Sequence, residues 1–215
     1  ARPQLVKFLA RYDGFVAPLA LRLDAVADPS TGRMATDGAR MFYNPGWTAT
    51  ATPEHIAALM GEAAWHCALG HPWRRGGRDE KVWHQAATAI VVGNLDQAKH
   101  YHLPDDCGRN ERLEPMSVEE AYETIRAMQP PGGSGGGGQP PPTGQQGQGK
   151  APGQAPGQGQ APGQGKQPGA PDTGADCQLR EPAGATKSDR DKMDSDWKIA
   201  VLQAAQMAHA RGELP

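Results

Sequence analysis

The sequence predicts an α+β fold: a small antiparallel sheet with a hairpin, packed on a helical layer, then a disordered linker and one C-terminal helix. Three observations predict it. Aromatic and aliphatic residues crowd into positions 1–129, whereas the stretch from Pro130 to Asp176 contains no Leu, Ile, Val, Phe, Trp or Tyr and so cannot build a core. Apolar residues recur at helical spacing in two long runs, about 53–69 and 80–99. Between short β-compatible runs sits Asp37-Gly38, a pair suited to the positive φ of a two-residue hairpin turn.

In chain order, QLVKFLARY at 4–12 places Leu5, Phe8, Leu9 and Tyr12 on one helix face. After Gly14, Leu19, Leu21 and Leu23 alternate with smaller or polar neighbours, the pattern of a half-buried strand. RMATDGARMFY at 33–43 is the hairpin, and Asn44-Pro45-Gly46 breaks the chain. Thr52-Pro53 supplies an N-cap and a first-turn proline for the helix over about 53–69. Its stripe is Ile56, Leu59, Met60, Ala63 and Cys67, and Gly70 with Pro72 ends it. The helix over about 80–99 carries Trp83, Ala86, Ala87, Ile90, Val91 and Leu95, and Ser117-Val118-Glu119-Glu120 opens a third as a capping box. The domain boundaries follow: 1–129 is the folded domain, 130–190 a Pro/Gly/Gln-rich linker with an APGQ-type repeat. Residues 191–215 form an amphipathic helix through Trp197, Val201 and Ala208, expected to begin a further C-terminal domain.

Composition excludes several functions. A formal net charge of -2 gives no electrostatic footprint for nucleic acid, which needs clustered Lys and Arg to release phosphate counterions; only Arg74, Arg75 and Arg78 cluster. They read as a solvated surface or as a partner-binding patch. No run approaches the ~18 apolar residues of a membrane span, and the start lacks the apolar stretch of a secretory signal, so the expected location is cytoplasmic. Cys67, Cys107 and Cys177 are odd in number and far apart, which suits neither a disulfide framework nor a Cys-x-x-Cys zinc site.

The chemistry-bearing pattern lies on the first long helix. Zinc peptidases use His-Glu-x-x-His because two ligands four residues apart share a helix face, with the Glu beside the first ligand placed to activate the metal-bound water. Here the segment reads Glu62-Ala63-Ala64-Trp65-His66. Glu62 and His66 keep the ligand spacing and could offer a carboxylate oxygen and an imidazole nitrogen to a divalent ion, or else form a surface i,i+4 pair. The general-base position is Ala63, which has no titratable group. His71, just past the helix stop, is a third candidate ligand or a partner of the helix carbonyls. His84 is a fourth, or a polar face residue. His100 and His102 read as helix-end dipole partners, and Asp37 as a turn residue.

Taken in order, Thr36-Asp37-Gly38, FYNPGW at 42–47, HCALGHPWRR at 66–75, the Trp83 helix, LPDD at 103–106 and SVEEAY at 117–122 resemble a bacterial family of putative metallopeptidases with a zincin-like HExxH motif. The resemblance spans nearly all of residues 4–129. Its members typically read TDG, YNP, HExxHxALGHxxR and a Trp-Asn-x-Ala-x-Asp helix, and many continue into a von Willebrand A-like domain. The resemblance places the family's first ligand His on Glu62, its catalytic Glu on Ala63, its second ligand on His66 and its trailing His on His71. Its acidic residue on the next helix, a third ligand, falls on Thr88, and His84 lies one turn earlier on that face.

The resemblance implies zinc as the cofactor and a metal-dependent peptidase as the ancestral activity. The altered motif implies weak or no peptidase activity, since loss of a positioned general base costs about 100 to 10,000-fold in rate. The alternative is a non-catalytic scaffold tethered by the linker to a von Willebrand A-like domain, with AAA-type ATPases as protein partners. A structural metal site without turnover is a third expectation.

Overall fold

The computed structural model describes residues 13–97, 101–103, 108–129 and 177–213. The helix expected over 4–12, His100, most of the LPDD segment and the linker stretch 130–176 lie outside the described residues. Within them the fold is α+β: seven helices and a four-stranded mixed sheet.

Asp13 Oδ1 accepts the Phe15 and Val16 amides at 3.0 and 2.7 Å where α1 (Val16–Leu21) begins. The sequence reading made a strand of Leu19, Leu21 and Leu23. A strand would bury all three, but Val16, Leu19, Ala20 and Leu23 are the buried set and Leu21 faces outward; that is helical spacing, and it wins.

β1 (Asp24–Ala27) follows, then β2 (Met34–Thr36) and β3 (Arg40–Tyr43). The hairpin between β2 and β3 is antiparallel with Met34 opposite Tyr43 and Thr36 opposite Met41. That register puts Gly38 and Ala39 at the tip, one residue later than the expected Asp37-Gly38 pair. Gly38 takes φ 92, which only glycine adopts without strain. Asp37 does shape the turn: its Oδ1 accepts the Ala39 and Arg40 amides, and its Oδ2 pairs with the Arg40 guanidinium.

The sheet around the hairpin is mixed where an antiparallel one was expected. β1 runs parallel to β3, and β4 (Cys177–Leu179) runs parallel to β2, giving the order β1-β3-β2-β4. Parallel neighbours need long crossovers, and β4 reaches its place from the far side of residues 130–176. All three residues of β2 are buried, as befits a strand paired on both sides and covered on both faces.

Asn44 caps α2 (Pro45–Thr48). Thr52 caps α3 (Pro53–Ala68), with its side chain accepting the His55 amide. Gly70 at φ 72 turns the chain into α4 (His71–Arg74). Then come α5 (Glu80–Gln97) and α6 (Val118–Met128), the latter opened by the Ser117–Glu120 capping box. α3 is packed by α1, β2, α5 and the C-terminal helix together. It is therefore buried on nearly every face, and small residues (Ala57, Ala58, Gly61, Ala63, Ala64) admit those neighbours. A second apolar cluster joins α5 to α6 through Trp83, Ile90, Tyr122 and Ile125.

Residues 177–190, assigned by composition to the linker, instead contribute β4 and the start of α7 (Lys187–Ala210). α7 packs back on the N-terminal elements: Trp197 is buried and its indole N–H donates to Gly38 O at 2.8 Å. No helix among the described residues is long and apolar enough to cross a membrane.

Candidate functional site

Because α3 is enclosed, its polar residues are interior. Glu62 and His66 are both fully buried (0% exposed), so the surface-pair reading does not hold. Their facing atoms, Glu62 Oε1 and His66 Nε2, are 3.5 Å apart. Between them in sequence, Ala63 is also fully buried and belongs to the apolar cluster with Leu59 and Cys67; no titratable group stands where a general base would.

Gly70 folds the chain so that His71 returns onto α3. His71 is buried, and its Nδ1 lies 2.9 Å from His66 Nδ1, a hydrogen-bond length in which one ring donates and the other accepts. The Trp83 indole N–H donates to His71 O at 3.0 Å and fixes the backbone there. The capping of the α3 carbonyls, one reading of His71, falls instead to Arg74, which donates to Leu69 O at 2.7 Å. His84 is half-buried with its ring centroid 6.4 Å from that of His66. Thr88, one turn on, is buried beside Gly108: a Cβ at Gly108 would stand 3.5 Å from Thr88 Cγ2. The structure thus gathers Glu62, His66, His71 and His84 into one polar cluster, while His102 is exposed and apart.

Burial sets the charge states. It pushes the Glu62 carboxyl up to about 8, with the Cys177 amide and the Arg33 charge pulling the other way. It pushes His66 down to about 3. His71 sits well below its usual range through burial and then the neighbouring His66, Arg74 and His84. At neutral pH Glu62, His66 and His71 are predominantly uncharged. Neither Glu62 oxygen, nor His66 Nε2, nor the Thr88 hydroxyl has a well-formed hydrogen bond among the described residues.

The donor set can be tested against zinc. Ligand bonds of about 2.0–2.2 Å to a tetrahedral ion separate ligand atoms by roughly 3.3–3.6 Å, which the 3.5 Å between Glu62 Oε1 and His66 Nε2 meets. His71 cannot join them, because it approaches the opposite nitrogen of the His66 ring. Thr88, on which the resemblance places a third ligand, is buried and carries only a hydroxyl. Among the described residues no three His, Cys, Asp or Glu side chains converge to hold an ion. Two vertices fit and the described residues do not supply the rest of the coordination sphere, so those residues alone do not make a zinc site.

Sequence reasoning missed the Cys177 amide against Glu62 and the Trp83 contact to His71. Neither had a local signal, since Cys177 lies far along the chain. The arginine cluster resolves as built structure: Arg74 holds both Glu119 oxygens at 2.8 Å, Arg75 pairs with Glu181, and Arg78 lies over Trp83 and Tyr122. A family model described as a putative metallopeptidase domain matches residues 2–215. Among curated proteins and among solved structures nothing matches.

Proposed function

This chain belongs to the putative metallopeptidase domain family, and from that premise we propose that it is a member without peptidase turnover, acting as a folded interaction module. The observation that carries this is Ala63, fully buried in apolar packing where the family pattern places its general base. Water activation needs a base within hydrogen-bond reach, and the nearest polar groups, Glu62 and His66, are sealed from solvent. An apolar cavity of about 470 Å³ beside Met34, Met41, Ile56 and Met60 includes none of the candidate site residues.

Zinc, the metal the family resemblance implies, has no role in this reading. The domain persists because Trp83, Leu59 and Cys67 sit in apolar clusters that require no ion. The partners attached to this reading are a von Willebrand A-like domain and an AAA-type ATPase; their support is the sequence resemblance alone.

The test is metal content and peptide hydrolysis of the full chain beside a Glu62→Ala, His66→Ala double variant. The reading expects substoichiometric zinc after equilibration and gel filtration, with the same background hydrolysis in both proteins. One equivalent of zinc that disappears in the variant, accompanied by hydrolysis that disappears with it, would overturn the proposal.

A further inference from the structure

The described C-terminal segment, residues 177–213, meets the rest of the molecule in an unusual way. β4 covers the edge of β2, and its first amide faces Glu62. Leu179 at the end of β4, with Arg180 and Glu181 beyond it, walls one side of a cavity of about 240 Å³ whose other side is His71 and Trp83. The segment therefore closes the polar cluster from outside.

What holds it there is a set of polar contacts and a limited apolar seam, in which Cys177, Trp197, Ala200 and Ala204 join the first apolar cluster with Met193 and Val201 against it. Arg180 Nη1 meets Asp28 at 2.7 Å, Arg75 meets Glu181 at 3.0 Å, and the Arg180 amide donates to Thr36 O at 2.9 Å. The Trp73 indole N–H reaches Asp194 at 3.2 Å, Trp197 reaches Gly38 O, and Glu213 accepts the Gly14 amide at 2.8 Å. Of the side chains α7 buries, Trp197 alone is large; the others are Ala200, Ala204 and Ala208. Its opposite face leaves Ile199 and Leu202 54% and 64% exposed. The second apolar cluster, by contrast, is built of Trp83, Ile90, Tyr122 and Ile125 and takes only Leu179 from this segment, at its margin. Elements with few buried apolar contacts open at lower free energy than the core, and a segment joined through a chain stretch without Leu, Ile, Val, Phe, Trp or Tyr can leave without dragging that core along.

We propose that residues 177–213 are a detachable strap, whose release exposes the Glu62–His66–His71 cluster and the edge of β2 while α3, α5 and α6 stay folded. An exposed strand edge accepts an extended segment by main-chain pairing, so the open form offers a binding edge that the closed form hides. The strap does not depend on metal or on turnover at the cluster.

Two measurements on the full chain test it. Native-state hydrogen exchange in low denaturant should show the amides of β4 and α7 exchanging through an opening at least tenfold more populated than that exposing α3, α5 and α6. Carbethoxylation followed by mass spectrometry should find His66 and His71 protected in the parent chain, with His102 and His209 reactive. In Trp197→Ala, which removes the strap's one large anchor, His66 and His71 should react at least tenfold faster while α5 and α6 keep their exchange protection. If β4 and α7 exchange only together with α3 and α5, the strap is core and the proposal fails. It fails equally if His66 and His71 stay protected in a Trp197→Ala protein whose α7 has lost exchange protection.

Discussion

Glu62 shows how much one residue's surroundings alter its role. A helix position with a His four residues on invites a pairing or metal-binding reading, yet its carboxyl is fully buried, raised to about 8 and, among the described residues, without a well-formed hydrogen bond beyond the facing Cys177 amide. Buried polar groups left in that state destabilise, and apolar replacements of similar volume often stabilise. Glu62→Met is therefore expected to raise unfolding free energy by about 1–3 kcal/mol in chemical denaturation at pH 7. A loss of that size would show instead that Glu62 makes an interaction the protein depends on. The spacing of Glu62 and His66 was legible in the sequence because a helix fixes which residues share a face, whereas His71 joins them only through the Gly70 turn. Their enclosure was not legible, because it depends on the elements packed around α3, and two of these, β4 and α7, come from beyond residue 176.

Among the elements, the hairpin and the strap meet at Gly38. A Cβ there would stand 2.7 Å from Trp73 Cζ3 and 2.8 Å from Met193 Sδ, on a residue already at φ 92. Gly38→Ala is expected to cost about 1–3 kcal/mol and to loosen α7 before α5, seen as earlier loss of exchange protection in α7. Asp28 ties the same elements on the sheet's other side. Its carboxyl is held at about 2 by Ser30 and then by Arg180. A carboxylate whose folded pKa is depressed contributes stability that is present above its unfolded value, near 4, and lost as pH falls toward the folded one. Between pH 4 and 2 the parent chain should thus lose strap protection more steeply than Asp28→Asn, whose curve lacks this component; identical slopes would remove Asp28 from the latch. The long helices, their caps and the hairpin were readable from local pattern. α1 was misread because a short run of leucines fits either period until its neighbours decide, and the mixed sheet was not readable because parallel partners carry no local pairing signal.

For the whole molecule, the fold is assembled from residues 13–129 and 177–213 across a stretch that composition alone marks as unable to join a core. A protease site placed at about residue 150 and cut in the folded protein should therefore leave both pieces associated in size-exclusion chromatography. Separation on cutting would mean that the covalent connection is required to keep the strap in place. Composition hid the return of the chain, since CQLREP at 177–182 is a polar mixture that becomes a strand only because β2 has an edge to offer.

The order of synthesis gives β4's late position in the chain a further consequence. The ribosome completes α6 before it has made β4, and at about 5–20 residues per second several seconds pass before the last turn of α7 emerges. For that interval the nascent domain has its earlier helices and its hairpin, but one edge of β2 is unpaired and the polar cluster is unshielded. Newly made chains thus pass through the open form once, obligatorily, and a strand that pairs with β2 in that window competes with a segment that does not yet exist.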